Sequence, residues 1–106
     1  MVPFKQIDTK EAYDLIAKEN PIIVDIRDEQ SYQSAHIPNA VQINDQNVEQ
    51  FISEHNQEKR ALLCYCYHGI SSQQAAQYFA QNGFHNVYSL LGGFEQWKES
   101  YPFEAS

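Results

Sequence analysis

The stretch from residue 61 to residue 80, "ALLCYCYHGISSQQAAQYFA", carries the pattern from which the fold is inferred. Its first five residues form an apolar run, which is typical of a strand buried on both faces of a parallel sheet. A helix is predicted to start at Ser71 or Ser72 and to stop at Gly83. The stretch therefore predicts a central strand, a tight loop and a helix in succession.

The rest of the chain repeats this alternation of apolar runs and helical patterns. Further strands are predicted at residues 4–7 (a short edge strand), 22–26, 41–43 and 86–90. Further helices are predicted at residues 8–20, 28–35, roughly 45–55 and 93–100. Asp8 and Glu11 are spaced as a capping box for the first of these helices, and Asp28 is predicted to cap the second. Such alternation predicts an α/β fold, a doubly wound, mostly parallel sheet of about five strands with helices on both faces. We expect one domain over residues 1–106, since the chain is too short for two.

Composition excludes several classes of partner. The chain carries a formal charge of -7 and 20% charged residues, so a nucleic-acid partner is not expected. It lacks an apolar run of transmembrane length and a recognisable signal peptide, so we expect no membrane partner. Two cysteines, Cys64 and Cys66, are too few and too close for a secreted disulfide scaffold. A reducing, cytoplasmic location is therefore expected.

Three residues that could carry chemistry follow or end predicted strands. Asp25 and Arg27 lie at the end of the 22–26 strand, and Cys66 directly follows the 61–65 strand. Ligands of parallel α/β sheets bind at the carboxyl ends of the strands. We therefore expect these three residues to share one edge of the molecule. There Asp25 and Arg27 are expected to pair with each other or with backbone groups of the loop and to hold the site in shape, and direct contact of Arg27 with the substrate is the alternative.

Cys66 is the candidate nucleophile. It begins a loop that enters a helix, and the backbone N–H groups of such a loop turn toward its centre while the helix N-terminus adds partial positive charge. A thiolate there is stabilised, so the pKa of Cys66 should fall, and the same N–H groups can receive an anion. The alternative is a cysteine that merely fills the core, as free cysteines often do.

The loop "CYHGISS", residues 66–72, resembles the active-site loop of the rhodaneses, a family of thiosulfate sulfurtransferases. Three other stretches also resemble that family: "VDIRD" (24–28), "AHIPNA" (35–40), where Ala35 replaces the usual glycine, and "LLGGFEQW" (90–97). The length and the loop are most similar to the single-domain, GlpE-type members.

This resemblance implies a rhodanese-like fold, no cofactor, and a persulfide enzyme in which Cys66 is catalytic. The residues implied to bind substrate are those of the loop: Tyr67, His68, Gly69, Ile70, Ser71 and Ser72. Thiosulfate is the implied donor, sulfite the product, and cyanide, low-molecular-weight thiols or thioredoxin the implied acceptors.

Other functions are weighed against this one. A phosphatase of similar fold would have Arg six residues after its cysteine, where this chain has Ser72. A persulfide carrier or regulatory binding module for one protein partner stays open. A metal site formed by Cys64, Cys66 and His68 is not expected, because a fourth ligand at suitable spacing is missing.

The side chains around Cys66 are assigned separate roles. Cys64 is expected to fill the core, although a resolving thiol is the alternative. His68 is expected to point outward rather than transfer protons. Tyr67 is expected to face the entrance of the loop. Ser71 and Ser72 are expected to serve the helix start, and Ser71 is also expected to donate a hydrogen bond to the persulfide.

Overall fold

Five strands and five helices alternate along the chain in the computed structural model, which describes residues 3–106. The first two residues of the predicted domain therefore lie outside the described part. The strands are β1 (Lys5–Ile7), β2 (Ile22–Asp25), β3 (Val41–Gln42), β4 (Leu62–Tyr65) and β5 (Val87–Leu90). The helices are α1 (Thr9–Glu19), α2 (Glu29–Ser34), α3 (Val48–His55), α4 (Ser71–Gln81) and α5 (Gly93–Trp97).

The strands form one sheet in the order β1-β5-β4-β2-β3, and every strand pair in it is parallel. Strand β4 occupies the centre and β1 an edge, as the sequence predicts. The ends of β2 and β4 are in register, with Asp25 opposite Tyr65. The residues that follow these two strands therefore emerge side by side.

Helices cover both faces of the sheet, which confirms the predicted doubly wound α/β arrangement. Alternate residues of each buried strand face opposite sides. One core packs the sheet against α1 and α5, with Leu63 and Trp97 among its members. The other packs it against α3 and α4, with Leu62 and Phe79 among its members.

Polar side chains start two of the helices as predicted. Asp8 accepts a hydrogen bond from the backbone N–H of Glu11 at 2.8 Å, and the Glu11 carboxylate accepts one from the Asp8 N–H at 3.1 Å. This capping box opens α1. Asp28 caps α2 by accepting a bond from the backbone N–H of Ser31 at 3.1 Å.

One predicted helix start and one predicted helix cap are wrong. Helix α3 begins at Val48 rather than near residue 45, because the Asn44 side chain accepts hydrogen bonds from the N–H groups of Gln46 and Asn47 and forms a turn there. Helix α4 begins at Ser71, as predicted, but its N-cap is Ile70 and no side chain caps it. Ser71 therefore does not provide the predicted cap. No helix in the described residues is long and apolar enough to span a membrane.

Candidate active site

The predicted residues Asp25, Arg27 and Cys66 lie at the carboxyl ends of neighbouring strands, and therefore at the same end of the sheet, as expected. The backbone N–H of Ile26 donates to the carbonyl of Tyr65 at 3.1 Å and joins the two chain segments there. The residues occupy opposite faces, however. Residues two apart in a strand face the same side of the sheet. Asp25 therefore faces the α1/α5 side, as Ile23 does, whereas Cys66 faces the α3/α4 side, as Cys64 does.

The sulfur of Cys66 sits in a cup of hydrogen-bond donors. The backbone N–H groups of Gly69 and Ser72 lie 3.2 and 3.3 Å from Sγ, and Ser72 Oγ lies 3.4 Å from it. Burial alone would raise the pKa of Cys66, but the hydrogen bonds from the Ser72 hydroxyl and from these N–H groups lower it below its usual value. Cys66 as a whole residue is 6% exposed. The geometry therefore favours a thiolate in a nearly closed cup.

Gly69 makes the tight turn of the loop possible. Its φ is +88°, a conformation that residues with a Cβ rarely adopt. A Cβ there would also lie 2.8 Å from the carbonyl oxygen of Leu90 and 2.9 Å from the nitrogen of Gly92. The loop is thus packed directly against the backbone that leads from β5 to α5.

Helix α5 holds the loop from behind through backbone atoms. The N–H of Phe94 donates to the carbonyl of Cys66 at 2.9 Å, and the N–H of Glu95 donates to the carbonyl of Tyr67 at 3.1 Å. Gly93 permits this approach, since a Cβ there would lie 2.4 Å from the Tyr67 carbonyl. The first turn of α5 therefore fixes the position of the sulfur-bearing loop.

Among the two serines of the loop, Ser72 rather than Ser71 contacts the sulfur. Ser72 is fully buried, and its hydroxyl also lies 2.7 Å from that of Ser89 in β5. Ser71 is exposed. Sequence reasoning missed Ser89, because it lies in another strand, 17 residues further along the chain. Its one signal is a hydroxyl within the apolar run "NVYSL".

Three other loop side chains make no hydrogen bond to the sulfur. His68 and Ile70 are exposed, and Ile70 reaches 75% exposure. Tyr67 turns toward α2, where its hydroxyl donates to the carboxylate of Asp28 and contacts the hydroxyl of Ser31. This bond from Tyr67 is the largest cause that lowers the pKa of Asp28 to about 2. Tyr67 thus ties the loop to α2.

The Asp25–Arg27 pair braces the same edge from the other face. Asp25 accepts from Arg27 Nη2 at 2.7 Å and from the Arg27 backbone N–H at 2.8 Å. Both side chains are buried, and the guanidinium also lies 4.3 Å from the centre of the Phe94 ring. Burial alone would lower the pKa of Arg27, but the hydrogen bond and charge of Asp25 raise it. Arg27 therefore remains protonated, and its positive charge is already paired with Asp25.

Cys64 is fully buried in the α3/α4 core, as predicted for a core residue. Burial, and then the neighbouring Cys66, raise its pKa well above the usual thiol range. Its Sγ lies 3.4 Å from the carbonyl oxygen of Ser72. Within residues 3–106, no three His, Cys, Asp or Glu side chains are grouped as metal ligands would be.

A groove of about 840 Å³ lies beside the loop, between α2, α3 and α4. Ser71 lies on its wall, and four of its lining residues are acidic: Asp28, Glu29, Asp45 and Glu49. Its one basic lining residue, Arg27, is paired with Asp25. Cys66 is not among its lining residues. The groove presents negative charge, so the anion-binding capacity of this edge depends on the backbone of the loop.

Several known proteins resemble this chain in sequence and in structure. A family model described as "Rhodanese-like domain" matches residues 8–100. A thiosulfate sulfurtransferase GlpE of Coxiella burnetii is 44% identical over 93% of this chain and 92% of its own. The protein of that name from Pseudomonas savastanoi is 42% identical over 98% and 96%. The rhodanese-like domain of an Anabaena protein superposes with a TM-score of 0.83 at 25% identity, covering all of this chain and 81% of its own.

Proposed function

Because this chain belongs to the rhodanese-like domain family, we propose that it is a thiosulfate sulfurtransferase that carries sulfur on Cys66. Relatives named thiosulfate sulfurtransferase GlpE, 42–44% identical over nearly the whole chain, support the reaction. The observation that carries the assignment to Cys66 is the convergence of two backbone N–H groups and one hydroxyl on its sulfur.

In the first step, the Cys66 thiolate attacks the outer sulfur of thiosulfate. A new bond forms between Sγ and that sulfur, and the sulfur–sulfur bond of thiosulfate breaks. The bonding pair leaves with sulfite, and the protein keeps a persulfide anion. The loop from Tyr67 to Ser72 supplies backbone donors for the negative charge that passes through this site.

In the second step, a nucleophile takes the outer sulfur and returns Cys66 to the thiolate. Cyanide gives thiocyanate, and a thiolate gives a new persulfide, so neither acceptor requires an oxidant or a cofactor. We propose low-molecular-weight thiols or thioredoxin as biological acceptors and cyanide as the assay acceptor. We propose a reducing, cytoplasmic environment, because two cysteines are too few and too close for a secreted disulfide scaffold.

Intact-mass measurement tests this assignment directly. Thiosulfate is expected to add the mass of one sulfur atom to the wild-type chain, and cyanide is expected to remove it. Cys66→Ser should abolish the addition. Cys64→Ser is the matched control and should retain it, because Cys64 lies in the core. Loss of the added sulfur in Cys64→Ser alone would show that the nucleophile is assigned to the wrong cysteine.

Two alternatives make different predictions for the same protein. A persulfide carrier or regulatory module would show little turnover with small acceptors even where Cys66 accepts sulfur. A phosphatase would hydrolyse phenyl phosphate esters. We expect negligible hydrolysis, because Ser72 stands where a phosphatase of this kind has the Arg that clamps the phosphoryl group. Ester turnover equal to the sulfurtransferase rate would overturn the proposed function.

A further inference from the structure

Ser89 lies behind the cup of Cys66, in strand β5, and is fully buried. Its Oγ is 2.7 Å from Ser72 Oγ, which in turn is 3.4 Å from the sulfur of Cys66. The three atoms form a line of contacts from β5 through the first turn of α4 to the sulfur. Within the described residues, Ser72 Oγ is the one polar atom in hydrogen-bond contact with Ser89 Oγ.

The direction of the hydrogen bonds in this line follows from counting protons. Each hydroxyl has one proton to donate. If Cys66 is a thiolate, Ser72 donates to the sulfur and Ser89 donates to Ser72, so two protons fill two contacts. If Cys66 is a thiol, its S–H donates to Ser72 Oγ and the Ser72 hydroxyl donates to Ser89 Oγ. Three protons then share the same two contacts, and the proton of Ser89 is left without an acceptor in the line. Buried donors without acceptors are unfavourable, so the line matches the thiolate.

We propose that Ser89 is a positioning residue, which donates to Ser72 Oγ and thereby directs the Ser72 hydroxyl toward the Cys66 thiolate. This role deepens the proposed function and rests on it, because the thiolate is the form that attacks thiosulfate. Ser89 acts through Ser72 and does not itself touch the sulfur. Without Ser89, the Ser72 proton is free to rotate away from Cys66.

Other ionisable groups near the sulfur do not replace this effect. Cys64, on the same face of β4, is kept neutral by burial. Asp25 and Arg27 neutralise each other on the opposite face of the sheet. His68 lies on the same loop with its side chain exposed. None of these groups thus takes the place of the buried Ser89 and Ser72 hydroxyls, which connect β5 to the sulfur.

The test measures the ionisation of Cys66 by the pH dependence of its alkylation with iodoacetamide. Ser72→Ala is expected to raise the pKa of Cys66 by about one unit, and Ser89→Ala by about half a unit. Half a unit corresponds to a roughly threefold slower alkylation at a pH well below the pKa. The double variant should match Ser72→Ala, because Ser89 has no route to the sulfur without Ser72.

Two features separate this effect from general damage to the fold. The rate of Ser89→Ala should approach that of wild type at high pH, whereas a distorted site would be slow at every pH. Tyr32→Phe is the matched control, since it removes a hydroxyl that donates to Ala40 at 2.7 Å, and it should leave the pKa of Cys66 unchanged. Far-UV circular dichroism checks that each variant is folded.

Alkylation reports the thiolate whether or not the protein transfers sulfur, so failure of the proposed reaction would not obscure the result. An unchanged pKa in Ser89→Ala, alongside a raised pKa in Ser72→Ala, would overturn the proposal. So would a double variant whose shift equals the sum of the two single shifts, because the hydroxyls would then act independently.

Discussion

Replacing Asp25 with alanine is expected to destabilise the protein through the cation that it leaves behind. Asp25 is fully buried and accepts three N–H groups of Arg27: the backbone N–H, Nε and Nη2. Removing one partner of a buried pair typically costs about 3 to 5 kcal/mol. Arg27 keeps a bond from Nη2 to the carbonyl of Ala35 and its contact with the Phe94 ring, so we expect about 3 kcal/mol, the lower end.

Thermal and urea unfolding measure this loss. At about 5 °C per kcal/mol, the melting temperature of Asp25→Ala should fall by roughly 15 °C. The double variant Asp25→Ala/Arg27→Met removes both charges, and Met fits the apolar surroundings of the Arg27 side chain. This variant should therefore recover most of the lost melting temperature. Asp14→Ala breaks the exposed pair with Lys10 and should change the melting temperature little.

Activity decides between a structural and a catalytic role for Asp25. If the pair braces the site, the sulfurtransferase rate of Asp25→Ala should fall together with its stability, and the double variant should regain much of both. An unchanged melting temperature with lost activity would refute the brace and make Asp25 a participant in the reaction. A double variant less stable than Asp25→Ala would refute the assigned cause, an uncompensated buried charge.

Three further predictions concern the loop. Gly93→Ala should lower kcat by about a hundredfold, because a Cβ 2.4 Å from the Tyr67 carbonyl must push the loop away by roughly 1 Å. An unchanged kcat in steady-state kinetics would contradict this. Tyr67→Phe should raise the pKa of Asp28 from about 2 toward its usual value, measured by NMR titration of the carboxyl group; no change would mean that Tyr67 is not the main cause. As pH rises through the lowered pKa of Cys66, the alkylation of Cys66 should accelerate and then level off. Cys64 should react only after unfolding, and equal reactivity of the two cysteines in the folded protein would contradict the burial of Cys64.

Most of the fold could be predicted because its signals are local. The apolar run that contains β4, the capping box at Asp8 and the cap at Asp28 are each visible within a few residues. The parallel direction of the strands follows from the alternation of strands and helices along the chain. The predicted start of α3 failed because Asn44 bonds to nearby N–H groups and forms a turn in a segment whose apolar spacing also fits a helix.

The site was predictable only in part. Chain order indicates that Asp25 and Cys66 meet at one edge, since parallel strands end together. It does not indicate which serine faces the sulfur, because that depends on where α4 starts relative to the loop. The contact between Ser72 and Ser89 joins different elements. The orientation of Tyr67 likewise depends on Asp28, 39 residues earlier in the chain.

The backbone contacts between α5 and the loop separate two tasks that are often combined in one set of side chains. Carbonyl and N–H groups fix the shape of the loop, whereas the side chains of Tyr67, His68 and Ile70 lie outside the cup. Substitutions at the two exposed tip positions, His68 and Ile70, can therefore change which molecules approach the sulfur without rebuilding the cup. Acceptor preference can diverge by single substitutions there, while the sulfur chemistry is inherited unchanged.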